Sequence, residues 1–309
     1  AIAMDPLNEV LTVNYAGNLQ SRGDNEGAIQ SIESMIRLQS DHAGLLSAYS
    51  EVKLKSGDLV GAWEIARQAY QYAPENVVVI NTMAGAWVAL EQYAEAEETW
   101  IAGIARNRKS VELKLRYLTM LLMTDRADDA ERMMGRIFPE DVTVLPEGFQ
   151  RTYHYYQGLI SSLRGEYPNM RDHFERVIDP EESKLYDRNQ VFVLTTAALI
   201  NRGMGELETS EKQLATAERV LGHARVNGID NQEFYYSVAS LFALRGDTEK
   251  SIQTLQQAYD KGFRQRWLLE VDGRLAALRE KPAFVAIKER IANDISQSTA
   301  VVQLSAGKQ

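Results

Sequence analysis

The chain has 309 residues, 45% apolar and 25% charged, a balance that permits a packed core and gives no reason to expect extensive disorder. Its 43 acidic against 34 basic side chains leave a net charge of −9, which opposes the phosphate neutralisation that nucleic-acid affinity needs, so direct binding of DNA or RNA is disfavoured. The absence of cysteine excludes disulfides, thiolate catalysis and cysteine-ligated metal, and no run approaches the roughly 18 apolar residues of a membrane span.

Cysteine-free composition fits an oxidising compartment and tilts the reading toward the periplasm over the cytoplasm without fixing it. The greasiest run, 191–200, is interrupted by Thr195 and Thr196. Residues 1–6 read as a cloning remnant, which leaves room for an anchor, a signal or an effector domain before Leu7 in the natural protein.

From Leu7 onward the chain repeats at 34 residues. Ala28, Ala62, Ala96 and Ala130 form one column, and Ala16, Ser50, Ala84 and Leu118 a second. Ile32, Ala66, Trp100 and Met134, then Met35, Ala69, Gly103 and Ile137, form two more. Small residues at a fixed place let two helices of a hairpin approach while larger neighbours fill the holes. Turns fall at Gly23-Asp24 and Gly57-Asp58, where glycine can take positive φ and aspartate can cap the next helix. Four regular units are therefore expected over 7–138, the fourth with Asp125 in place of the turn glycine.

The next match, with Gly158, Gly165, Tyr167, Phe174 and Val177, comes six residues late, and an inserted loop at 139–150, carrying Pro139, Pro146 and Gly148, absorbs the slip. Three less regular units are expected over 151–263. The sixth has helices at 187–201 and 208–226 about Gly203 and Gly205, and the seventh regains the pattern at Tyr235, Ala239, Phe242, Gly246-Asp247, Leu255 and Ala258. Leu268, Leu269, Leu275, Leu278, Phe284, Ile287 and Ile291 then carry helical spacing, so 264–295 is expected to be a capping helix pair over the last apolar face, followed by a flexible tail at 296–309.

These columns resemble the tetratricopeptide repeat, most closely over 43–74 through Leu46, Tyr49, Ser50, Gly57, Ala62, Ala69 and Pro74. The resemblance implies an all-α superhelix, a solenoid of about seven helix hairpins with a C-terminal capping pair. The string Ala258-Tyr259-Asp260-Lys261-Gly262-Phe263, with Leu269, Asp272, Leu275, Leu278-Arg279, Pro282 and Phe284, is similar to the end of the helical-repeat domain of bacterial membrane-anchored signalling and transcription regulators, although Gly273 stands where that family has proline. That likeness implies a sensor or regulatory module whose effector lies elsewhere.

Catalytic patterns are missing. There is no phosphate-cradling lysine loop and no nucleophile elbow, and Gly203-Met204-Gly205 lacks both the third glycine and the strand of a dinucleotide site. His42, His154, His173 and His223 are scattered, with none at the one-turn spacing of a metal site. No enzyme activity, cofactor or metal is expected.

Binding is expected on the concave wall, lined by the first helix of each hairpin. In the 34-residue register this wall carries Gln20, Glu51, Lys55, Asn81, Glu112, Thr119, Tyr155 and Tyr236. Asn81, Tyr155 and Tyr236 lead: an asparagine amide can pin a peptide backbone and tyrosine gives large contact area at low entropic cost. The expected partner is a protein or peptide, the alternative role is a scaffold or assembly factor in the bacterial envelope or a multiprotein complex, and self-association is open.

Overall fold

The computed structural model describes residues 8–38, 42–178 and 188–306, so residues 1–6 and the last three of the expected tail lie outside the described residues. Among the described residues every regular element is helical. Seven hairpins follow in order: α1 (Glu9–Ser21) with α2 (Asn25–Leu38), α3 (Ala43–Lys55) with α4 (Leu59–Tyr72), α5 (Val77–Ala89) with α6 (Tyr93–Arg106), and α7 (Val111–Met123) with α8 (Ala127–Ile137). Then come α9 (Glu147–Leu163) with α10 (Tyr167–Glu175), α11 (Arg188–Gly203) with α12 (Leu207–Val226), and α13 (Gln232–Leu244) with α14 (Thr248–Asp260). A short α15 (Arg266–Val271), a 3-10 turn at Gly273–Leu278 and a long α16 (Pro282–Ala306) complete the chain.

Local chemistry sets the helix starts. Asn8, Asp58, Asn76, Ser110, Asn231 and Asp247 each accept a bond from a backbone N–H in the first turn of the following helix, satisfying donors that have no partner inside it. At the turn within a hairpin, Gly23 and Gly57 have φ of 78° and 89°, and Glu91 and Asp125 hold the same left-handed backbone at 56° and 57°. The loss of glycine at Asp125 thus leaves the turn intact, at a cost of roughly 1–2 kcal/mol for a side chain in that region.

The four alanines of the first column are fully buried at the crossings. Where serine replaces alanine it bonds across the same crossing: Ser50 Oγ donates to the Ala62 carbonyl at 2.7 Å, Ser210 Oγ to Ala198 at 2.8 Å and Ser251 Oγ to Ala239 at 2.7 Å. Each pair is 12 residues apart, so the sixth hairpin, irregular against the 34-residue columns, has the same internal geometry as the second and seventh.

Two expectations are corrected. The insertion is shorter than 139–150: a 3-10 turn occupies Val142–Val144 and α9 already begins at Glu147, so part of the slip goes into the 17-residue length of that helix. The tail at 296–309 is not frayed where it is described, since α16 runs to Ala306 with Val302 only 1% exposed. The array also closes on itself, because its two ends meet.

That closure has specific contacts. Leu59, Trp63, Met83 and Leu90 share one apolar cluster with Tyr236, Phe263, Leu269, Leu275, Phe284, Ile291 and Val302. The Asp230 N–H donates to the Ser21 carbonyl at 2.9 Å, and Thr299 Oγ1 donates to the Leu90 carbonyl at 3.0 Å. Gly262, at φ 106°, lies so close to the second hairpin that a Cβ there would be 2.3 Å from the Lys55 carbonyl oxygen and 2.9 Å from the Gly57 nitrogen. The seventh hairpin and its cap therefore lie across the turns of the first three hairpins, burying apolar side chains that a linear stack would leave in water.

Candidate binding surface

The inner wall is legible in α3, α5, α7 and α9. On α3, one turn apart, Lys55 Nζ lies 2.7 Å from Glu51 Oε1. The Glu51 side chain is 60% exposed, yet its surroundings act on its charge: partial desolvation would raise its pKa, and the Lys55 ammonium, with a further contribution from Arg116 on α7, overcomes this and lowers it. This carboxylate is open to water and is felt by charges on its own helix and on one two hairpins away.

Asn81, on α5, is fixed at both ends of its amide. Oδ1 accepts from the Trp100 indole N–H at 2.9 Å, and Nδ2 donates to Glu112 Oε1 at 2.9 Å. An indole N–H only donates and an ionised carboxylate only accepts, so the amide has one orientation, with one N–H and one lone pair remaining. Further along, Thr119 Oγ1 and Tyr156 Oη lie 2.9 Å apart and both reach the Leu115 carbonyl, at 3.0 and 3.4 Å. Burial raises the Tyr156 pKa, which keeps the phenol neutral.

The consecutive rings of α9 turn in different directions, as a 100° step demands. Tyr153 packs edge-on to Phe138, His154 meets His173, Tyr155 lies among Phe174 and Phe192, and Tyr156 faces Thr119. Tyr155 is half-buried and belongs mainly to the apolar cluster between the fifth and sixth hairpins. Tyr156 and Arg116, which the register did not single out, are the neighbours that join Thr119 and Glu51 to the wall.

Two of the expected wall residues, Tyr236 and Gln20, are buried. Tyr236 is 5% exposed, stacks on Phe263 with ring centroids 4.8 Å apart, and donates to Asp272 Oδ2 at 2.5 Å. The reason is the cap: its 3-10 turn lies on α13, so the first helix of the seventh hairpin has no open inner face. Beside it, Arg274 Nη2 lies 2.6 Å from Asp272 Oδ2 in a buried pair and Nη1 donates to Thr195 Oγ1 on α11 at 2.8 Å. Gln20 is 5% exposed, and its Nε2 donates to the Val52 carbonyl at 3.3 Å, wedging α1 against α3. It does line a cleft of about 330 Å³ that Lys55 shares with Asn231 and Glu233 from the start of α13, where the closing array brings its ends together.

Asn81, Glu112, Glu51, Lys55, Thr119, Arg116 and Tyr156 thus form a polar wall with both charge signs and one phenol. No group of three or more histidine, cysteine, aspartate or glutamate side chains able to hold a metal occurs among the described residues. No described helix is long and apolar enough to cross a membrane.

Comparison with solved structures identifies the architecture. The chain is similar to a tetratricopeptide repeat protein from Parabacteroides merdae, with 13% identity, 86% of this chain and 97% of that one covered, and a TM-score of 0.50. It is also similar to a chain of the APC/C hetero-tetramer Cut9–Hcn1, with 11% identity, 94% of this chain covered and a TM-score of 0.52; this chain spans 50% of that one. No family model and no curated protein matches the sequence.

Proposed function

We propose, for a chain with the fold of a tetratricopeptide-repeat solenoid, that the wall of α3, α5, α7 and α9 binds an extended peptide or one face of a partner protein's helix, without catalysing a reaction. The observation that supports this most directly is the Asn81 amide, held in one orientation by Trp100 and Glu112 on an accessible inner face. A pre-oriented donor and acceptor pair matches the alternating N–H and C=O groups of an extended backbone, and its orientation is set before binding. Lys55, Arg116, Glu51 and Glu112 place both charge signs beside it and would fix the direction of the bound chain.

The shared fold with a chain of a hetero-tetramer is consistent with assembly on such a surface. The finer reading is a regulatory or sensor module of a bacterial signalling or transcription protein, supported by the likeness of 258–284 to that class. Tyr155 contributes its exposed edge, and Tyr236 and Gln20 shape the wall from behind it.

The test is selection of displayed random peptides on the full chain, with affinities of the winners read by fluorescence anisotropy. Lys55→Ala with Glu112→Ala, two side chains outside the core, should weaken them about tenfold, about 1.4 kcal/mol, with an unchanged melting temperature. Selection of no peptide, or equal affinity in the double variant, removes the reading.

A further inference from the structure

Among the scattered histidines, the fold brings two together that the sequence separates by 19 positions. His154 on α9 and His173 on α10 place their Nδ1 atoms 3.0 Å apart, with ring centroids 5.2 Å apart and planes tilted by 34°. The Tyr153 ring stands edge-on to both and walls one side. At this separation one ring must donate from Nδ1 and the other accept, so a single proton lies between two nitrogens that are both capable of ligating a metal.

We propose that His154 and His173 form a chelating pair for a late divalent transition-metal ion, copper(II) or zinc(II), held through both Nδ1 atoms. Two nitrogens about 2.0–2.1 Å from a tetrahedral ion stand roughly 3.3–3.4 Å apart, so the rings need to separate by a few tenths of an ångström and to turn until both lone pairs, now aimed along the shared hydrogen bond, converge on the ion. Binding costs no net proton between neutral rings: the hydrogen on the donor Nδ1 moves to Nε2 of the same ring, freeing the second lone pair. Charges of both signs bear on the pair, Arg176 on both rings and Asp172 and Glu131 on His173.

With no third histidine, cysteine, aspartate or glutamate grouped with them among the described residues, the remaining positions of the ion are taken by water or by an outside ligand. Such an open two-imidazole site should follow the general preference of nitrogen ligands, copper(II) before zinc(II).

The full chain, free of any polyhistidine tag and stripped with a chelator, is titrated calorimetrically with copper(II) and with zinc(II) in a non-coordinating buffer. One ion per chain is expected. His154→Gln and His173→Gln should each weaken it by at least about tenfold, while His42→Gln and His223→Gln leave it unchanged. Electron paramagnetic resonance of the copper-loaded wild type needs no variant and should show coupling to two imidazole nitrogens. Absence of saturable binding, a signal from fewer than two nitrogens, or binding indifferent to His154→Gln and His173→Gln overturns the assignment.

Discussion

Arg266 and Glu91 stand 175 positions apart in the chain and share two hydrogen bonds, Nε to Oε1 at 3.0 Å and Nη2 to Oε2 at 2.6 Å. The guanidinium fork meets the carboxylate in parallel, the geometry that gives such pairs both strength and orientation. Their side chains are 31% and 20% exposed, so solvent screens part of the attraction. A double-mutant cycle with Arg266→Ala and Glu91→Ala, followed by urea unfolding, should return a coupling energy of about 0.5–1 kcal/mol. A coupling indistinguishable from zero would show that this ion pair adds nothing to the closure.

Two glycines separate the cost of backbone conformation from that of close approach. Gly246 has φ 80° with nothing within 4 Å of an added Cβ, whereas Gly262 has φ 106° and would place that carbon 2.3 Å from the Lys55 carbonyl. Gly246→Ala should cost roughly 1–2 kcal/mol, the penalty of the left-handed region. Gly262→Ala should cost more and should also widen the molecule as the seventh hairpin withdraws from the second. Thermal melts give the first comparison and small-angle scattering the second. Equal costs and an unchanged radius would mean that the contact adds nothing to closure.

Acid should loosen the same region. Burial alone would raise the Asp272 pKa, but the Arg274 guanidinium and the bonds from it and from Tyr236 hold it below the usual 3.8. A carboxyl lowered on folding contributes stability that is full above its unfolded value and disappears as pH falls through its folded one, so the loss belongs below about pH 4. Asp230, held low by Lys261 and Tyr235 against partial burial, acts in the same sense. Asp272→Asn should cost about 3–5 kcal/mol at pH 7, because Arg274 is left buried without its counter-charge. It should also flatten the dependence of the urea midpoint between pH 5 and 3; parallel curves for variant and wild type would contradict this origin.

The hairpins were legible because the residues that set them are local. Ala62, Gly57 and Asp58 do their work within one turn of chain, and the 34-residue columns carry them. The sixth hairpin was less clear only because its period is stretched, while the Ala198 to Ser210 spacing of 12 held the signal. The inner wall was half legible. Asn81 and Glu112 were both picked out by the first-helix register, whereas Arg116 and Tyr156 lie at positions it did not assign to the wall and show themselves only through the charge and the hydrogen bond they bring to Glu51 and Thr119. Tyr236 misled for a different reason. Its register position is that of a groove residue, but Asp272, Arg274 and Phe263 cover it, and no periodicity within α13 announces what a segment 36 residues later will do. His154 and His173 were invisible as a pair, since their meeting depends on how α9 crosses α10.

A linear stack of hairpins can form from one end and grow, each unit needing only its neighbour. Here Trp63 and Leu90 are completed by Phe284, Ile291 and Val302. As the chain leaves the ribosome, the early hairpins expose those side chains until α16 has been made. Folding thus carries a late, long-range docking step, with the delay and aggregation exposure that distant contacts bring. Once docked, the early hairpins and the seventh hairpin with its cap stabilise each other, so loosening of either also loosens the other.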